Sequence, residues 1–170
     1  MGHAIEDLRV IVDTREQTPW TFPPSVRVVG RRKLIAGDYS PEGFECTVAI
    51  ERKNIDDLVT SIIRDRDRFV RELKILSGFR FAAVIVEANL DQFMDHGYRS
   101  KVPARVVLKD IATITASMRV PVMFAGARAN AATLAEMLMR AAISGDTDLS
   151  RFESPLGTPI APVANIPPFG

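Results

Sequence analysis

The pattern of apolar and polar positions along the chain alternates between a period of two and a period near three and a half. Leu8 to Asp13 (Leu-Arg-Val-Ile-Val-Asp) predicts a first strand that ends in an acid. Pro19, Trp20, Pro23 and Pro24 then force a loop, and residues 26 to 35 predict a second strand with a turn or bulge at Gly30. A third strand is predicted from Phe44 to Lys53. Successive strand side chains point to opposite faces. Phe44, Cys46, Val48 and Ile50 therefore share an apolar face, while Glu45, Thr47, Ala49, Glu51 and Lys53 share the other.

The period then changes. Asn54 is a good helix N-cap, and Asp57 stands where a capping-box acid belongs. Ile55, Leu58, Val59, Ile62, Phe69, Leu73 and Leu76 recur at helical spacing, which predicts one helix from Asn54 to about Leu76, stopped by Ser77-Gly78. Arg66 falls in the middle of that apolar stripe. An unpaired arginine there is costly, so it should reach a carboxylate or lie where the stripe opens into a cleft. Arg64, Arg68 and Arg71 fall on another face, toward solvent or a ligand. Residues 81 to 88 are almost continuously apolar, which suits a central parallel strand, with Glu87 at its end. A polar segment (89 to 101), a helix from about Pro103 to Met118, a short strand from Pro121 to Phe124 and a helix from Asn130 to Ile143 follow. Three strands before the first long helix, then strand–helix alternation, predict an α/β domain with a mixed central sheet flanked by helices.

Composition narrows the class. At 170 residues, 46% apolar and 25% charged, the chain suits one soluble domain. We divide it into a domain over 1–148 and a Pro-rich tail over 149–170, read as an extended arm for docking a second copy or a helper protein. No run reaches membrane-spanning length and the N-terminus has no signal-peptide pattern, so a cytoplasmic protein is expected. Two histidines and one cysteine argue against a zinc site, and Cys46, on the apolar face of its strand, is expected to be a buried, inert thiol. The net charge of +1 leaves only local basic clusters as candidate nucleic-acid contacts.

Chemistry enters through the acids. Glu51 and Lys53 lie side by side on one strand face. Alone, that pair is equally well a surface ion pair. Asp13, Glu16 and Asp38, however, also fall at strand ends or in the adjoining loops. Carboxylates brought together repel unless a cation neutralises them, and Mg²⁺ or Mn²⁺, which takes oxygen ligands and keeps water, is the simplest resolution. A metal-bound water would then be the nucleophile, since no Ser–His pair or exposed thiol suggests covalent catalysis.

Val12-Asp13-Thr14-Arg15-Glu16, Gly37-Asp38 and Glu51-Arg52-Lys53-Asn54-Ile55-Asp56-Asp57 carry a resemblance. They are similar to the nuclease domain of the XPF/Mus family of structure-specific endonucleases, whose signature is Gly-Asp, a spacer, Glu-Arg-Lys, three residues and Asp. The similarity runs over about residues 8 to 143 and is to the compact bacterial and phage forms, without a helix-hairpin-helix module. It implies a restriction-endonuclease-like core of the PD-(D/E)XK type that cuts branched, flap or fork DNA with a divalent metal, nucleoid-associated or phage-encoded, in repair, recombination or phage replication. By position it implies Asp38, Glu51 and Asp13 as metal ligands, with Glu16 completing the acidic site. Lys53 would orient water or stabilise the pentavalent phosphate. Arg15, Arg52 and Arg66 are the candidate substrate contacts. Arg52, on the opposite face from Glu51, suits holding the architecture, while Arg15 and Arg66 contact phosphate or brace carboxylates. Two other readings stand beside it, a non-catalytic DNA-binding scaffold and a phosphohydrolase acting on RNA or nucleotides.

Overall fold

A computed structural model describes residues 7–144. The strands are β1 (Leu8–Asp13), β2 (Val26–Arg32), β3 (Tyr39–Pro41), β4 (Val48–Asn54), β5 (Phe81–Glu87) and β6 (Val122–Phe124). The helices are α1 (Ile55–Ile63), α2 (Arg66–Leu76), α3 (Leu90–Met94), α4 (Ala104–Met118) and α5 (Arg128–Ser144). The six strands form one sheet in the order β2-β1-β3-β4-β5-β6, and β3 alone runs against its neighbours. The expected mixed sheet flanked by helices is what forms. The expected tail, 149–170, lies outside the described residues.

Strand alternation sorts the core into two layers. Ala49, Val84 and Val86 pack with Leu58, Ile62, Phe69, Leu73, Val107 and Ile111 of α1, α2 and α4. Val48, Ile50, Ala83 and Ile85 point the other way, onto Ala131, Ala132, Ala135 and Met139 of α5. Small residues let α5 lie close to the sheet. β5 is the predicted apolar parallel strand, buried along its length between β4 and β6, though it stands next to the sheet edge and not at its centre.

Four expectations are corrected. A short strand, β3, lies between the predicted second and third; three residues are too few to show a period. Gly37 makes its entry possible. Its φ is +82°, and a Cβ there would lie 2.9 Å from the Ala49 Cβ and 3.3 Å from the Ile50 carbonyl oxygen, so only glycine lets the chain run this close to β4. Second, β4 begins at Val48, because residues 44–47 turn back on themselves with the Thr47 and Val48 amides donating to the Phe44 carbonyl. Cys46 sits on that turn and is exposed, not buried. Third, the polar segment holds the short helix α3. Fourth, the single helix over 54–76 is two. Residues 63–68 are all exposed, so no apolar anchor spans that turn, and the chain bends at Arg64-Asp65. The bulge expected at Gly30 is present, with Val10 opposite Val28 and Ile11 opposite Gly30. None of the helices over the described residues is long and apolar enough to cross a membrane.

Candidate active site

The site forms where β4 leaves the sheet. Because side chains alternate, Glu51 and Lys53 turn toward α1 and α2 while Arg52 turns toward α5. The Asn54 side chain accepts the Asp57 amide at 2.8 Å and donates to its carboxylate at 2.6 Å, so the strand passes straight into α1. Asp38, just before β3, is fixed to the same strand end. Its amide donates to the Ile50 carbonyl at 2.9 Å and its carboxylate accepts the Arg52 amide at 2.8 Å. Lys53 Nζ lies 2.6 Å from Glu51 Oε1 and 5.2 Å from the centre of the Phe69 ring.

Asp38, Glu51 and Lys53 face one groove with two lobes, of about 330 and 440 Å³. Arg15 and Arg68 border both lobes. Glu16, Arg52 and Asp57 border one; Arg71 and Glu72 border the other. Glu51 is only 4% exposed. Burial first, then the charge of Asp38, pushes its acid well above the usual range. Burial likewise raises Asp38 to about 6, with Glu16 and Glu72 adding to the rise and the Arg52 amide and Lys53 opposing it. Burial alone would lower Lys53, but the Glu51 carboxylate outweighs it and holds the ammonium protonated. Two oxygen-donor acids thus share one open groove at an electrostatic cost, beside one ammonium.

The other face of β4 is the opposite case. Glu87 accepts from Arg52 at 2.7 and 2.9 Å, from the Trp20 indole at 2.5 Å and from Arg128 at 3.1 Å. Arg52 also reaches Glu16 at 3.3 Å and Thr18 at 3.0 Å. Trp20 stacks on Tyr39 with centroids 4.5 Å apart, and its amide donates to the Tyr39 hydroxyl. These contacts pin the loop after β1 over the strand ends, with Arg128 donating to the Thr18 and Pro19 carbonyls. Burial would raise Glu87, but its bonds from Arg52 and Trp20 hold it below the usual range.

The remaining sequence candidates fall as follows. Asp13, expected as a third cation ligand, instead gives its carboxylate to Arg15 and to the Leu34 amide, and it does not line the groove. Burial would raise its pKa; these bonds carry it below the usual value. Arg15 is thereby fixed at the groove edge with 57% of its side chain exposed. Glu16 accepts the Thr18 amide at 2.6 Å and faces Arg52. Arg52, a candidate substrate contact, is 12% exposed and engaged on every side. Arg66 is away from the groove, at the start of α2, paired with Asp110 of α4 at 2.9 and 3.2 Å. It reaches a carboxylate, but at the surface: its side chain is 55% exposed, because the bend before α2 breaks the stripe that would have turned it inward. The sequence reading did not single out Glu87 as a hub or Glu72 as a groove acid. Glu87 at the end of an apolar strand was a visible signal; Glu72 was not, because the bend between α1 and α2 aims it. Among the described residues no three Asp, Glu, His or Cys side chains are grouped closely enough to cage a metal by themselves.

The fold is that of the XPF type of nuclease domain, on a restriction-endonuclease-like core. Residues 6–138 match the ERCC4 domain, and the chain belongs to that family. Among solved structures it is similar to XPF from Aeropyrum pernix, at 22% identity and a TM-score of 0.61 over 79% of this chain and 61% of that one. The same archaeal XPF in complex with DNA matches at 24% identity and a TM-score of 0.59, over 79% of this chain and 64% of that one. The chain thus spans a little over three fifths of those structures. No curated protein sequence matches it.

Proposed function

We propose that this protein is a divalent-metal-dependent DNA endonuclease that hydrolyses phosphodiester bonds at branched, flap or fork DNA. One observation carries the reading: Asp38 and Glu51 are held together in one groove, beside Lys53, with no cation of the protein's own sufficient to bring them back to ordinary acidity. The fold keeps an arrangement that costs it stability, which is the mark of a functional site.

The donor set fits a hard cation. Mg²⁺ and Mn²⁺ bind through one or two carboxylates, retained waters and substrate phosphate, which is what two groove-facing carboxylates offer. When bound, such an ion lowers the pKa of coordinated water and offsets charge on the phosphate. Asp38 and Glu51 would hold it. Lys53, kept protonated by Glu51 and wedged against Phe69, donates to the phosphoryl oxygen on which charge grows. Asp13 works through Arg15, holding that guanidinium at the groove edge for substrate phosphate. Glu16 and Glu87 act through Arg52, whose amide fixes Asp38. The complex of the archaeal XPF with DNA supports DNA as the substrate.

The test is a panel of labelled duplex, flap, fork and single-stranded DNAs and matched RNAs, each with Mg²⁺, Mn²⁺ or chelator. The expected result is metal-dependent cutting of branched DNA that Asp38→Asn abolishes. Cutting unchanged in an Asp38→Asn/Glu51→Gln protein ends the reading. Tight DNA binding without cleavage in any metal assigns a scaffold instead, and preference for RNA assigns a different hydrolase.

A further inference from the structure

We infer that Arg68 and Arg71 seat the phosphodiester backbone next to the scissile bond, which makes α2 the rail along which the nucleic-acid strand enters the groove. This rests on the endonuclease reading and adds the residues that supply affinity.

The floor of the groove is acidic. Asp38, Glu51 and Glu72 face the lobe that Arg68 and Arg71 border. A phosphate approaching that floor without a cation nearby is repelled, and a net charge of +1 draws no polyanion to the molecule as a whole. Affinity must come from cations at the rim.

Arg68 and Arg71 are three residues apart on α2, on one side of the helix and about 4.5 Å apart along its axis. Both line the same lobe, and two long side chains nearly one helical turn apart can reach neighbouring phosphates of one strand. Neither is committed elsewhere. Arg71 is exposed and makes no ion pair or hydrogen bond with the described residues. Arg68 is 73% exposed and meets only Asp65, at 3.7 Å, with that acid 49% exposed. Such a pair is worth little and yields readily to a phosphate. Glu72, four residues after Arg68, is placed to pair with it along the helix, yet the two make no ion pair; Glu72 turns to the groove. The planar fork of a guanidinium suits a phosphate better than a point charge does.

The test compares wild type, Arg68→Ala/Arg71→Ala and Arg68→Lys/Arg71→Lys, with Arg105→Ala on α4 as a surface control. Both target side chains are exposed, so the variants fold, and a melting curve checks this. DNA binding is measured in chelator across a salt series, and KM and kcat in Mg²⁺. The alanine pair should weaken binding by about tenfold per arginine near 0.1 M salt and flatten the slope of log K against log salt by about 2. KM should rise in parallel while kcat falls less than threefold, and the lysine pair should recover the slope. If wild type cuts and the alanine pair keeps its affinity and slope, the inference is overturned and the nuclease reading stands. A fall in kcat alone also overturns it, since the arginines would then act on the reacting phosphate. If wild type neither binds nor cuts, both fall.

Discussion

The two faces of the last turn of β4 are built from the same kinds of residue and end in opposite electrostatic states. On the α5 side, Arg52, Glu87, Arg128 and Trp20 satisfy one another, and Glu87 is more acidic than usual. On the α1–α2 side, Asp38 and Glu51 are both less acidic than usual, although Lys53 lies 2.6 Å from Glu51. One residue step along a strand separates them. The lesson is that acids and bases stabilise a fold when each is matched, and leave repelled carboxylates open to a cation when the acids outnumber the base in an open groove. The saturated face holds the unsaturated one in shape.

The comparison can be broken most severely on the reactive side. Asp38→Asn should cut the cleavage rate on branched DNA by about a thousandfold, equivalent to about 4 kcal/mol of transition-state stabilisation. The same change should raise stability in chelator at neutral pH, because it removes a repelled charge while keeping an acceptor for the Arg52 amide. Asp38 lies at about 6 in the folded protein, against the ordinary aspartate value of 3.8. Below 3.8 it is protonated folded or unfolded and contributes nothing; above 6 it is ionised in both, and folding bears the full penalty, on the order of 3 kcal/mol. Its contribution therefore declines as pH rises from 3.8 to about 6. Urea unfolding of both proteins in chelator across that range reads the effect, and a variant less stable than wild type at pH 7 contradicts it.

Breaking the saturated side should have the reverse profile. Glu87→Ala leaves Arg52 and the Trp20 indole without their main partner in a nearly buried setting, and should cost about 3 to 5 kcal/mol in chemical denaturation. Cleavage should fall only through the misplaced Arg52 amide and the loosened loop, by about 10- to 100-fold at a temperature where the variant is folded. Equal loss of activity in Glu87→Ala and Asp38→Asn would erase the distinction between the two faces.

A milder probe adds what the reactive face lacks. Mg²⁺ at a hundred times its dissociation constant should stabilise the wild type by about 2.7 kcal/mol, a rise in Tm on the order of 5 to 10 °C. The shift should shrink at pH 5, where Asp38 gains a proton, and vanish in Asp38→Asn. The smallest effect belongs to Cys46, away from both faces. Being exposed, it should react with a thiol reagent in the native protein, and Cys46→Ser should change stability by less than about 0.5 kcal/mol.

Much of the site was legible before any coordinates. Alternation alone put Glu51 and Lys53 on one face and Arg52 on the other, and the spacing of Asn54 and Asp57 gave the helix start. The continuous apolar run at 81–88 gave the parallel strand buried on both faces, β5. What escaped has a physical reason in each case. Three residues of β3 carry no period. Across the charged run at 64–68 the apolar spacing resumes in step, so the misplaced Arg66 was the one sign that the helix bends there. Cys46 alternates correctly with Val48 but belongs to a turn, where alternation means nothing.

The sequence by itself determined which side chains share a face, because a strand's period of two and a helix's of 3.6 are local properties of the backbone. That Gly37 must take a left-handed turn was decided by tertiary structure, since it is the approach to Ala49 and Ile50 of β4 that leaves no room for a side chain there. Which acids meet was decided only by tertiary structure. The antiparallel pairing of β3 with β4 ties Asp38 to the Arg52 amide, the bend between α1 and α2 turns Glu72 inward, and Arg15 takes up Asp13. Charges act through space over distances that the order of residues does not record, so the difference between a matched pair and a repelled one appears only once the strands are side by side.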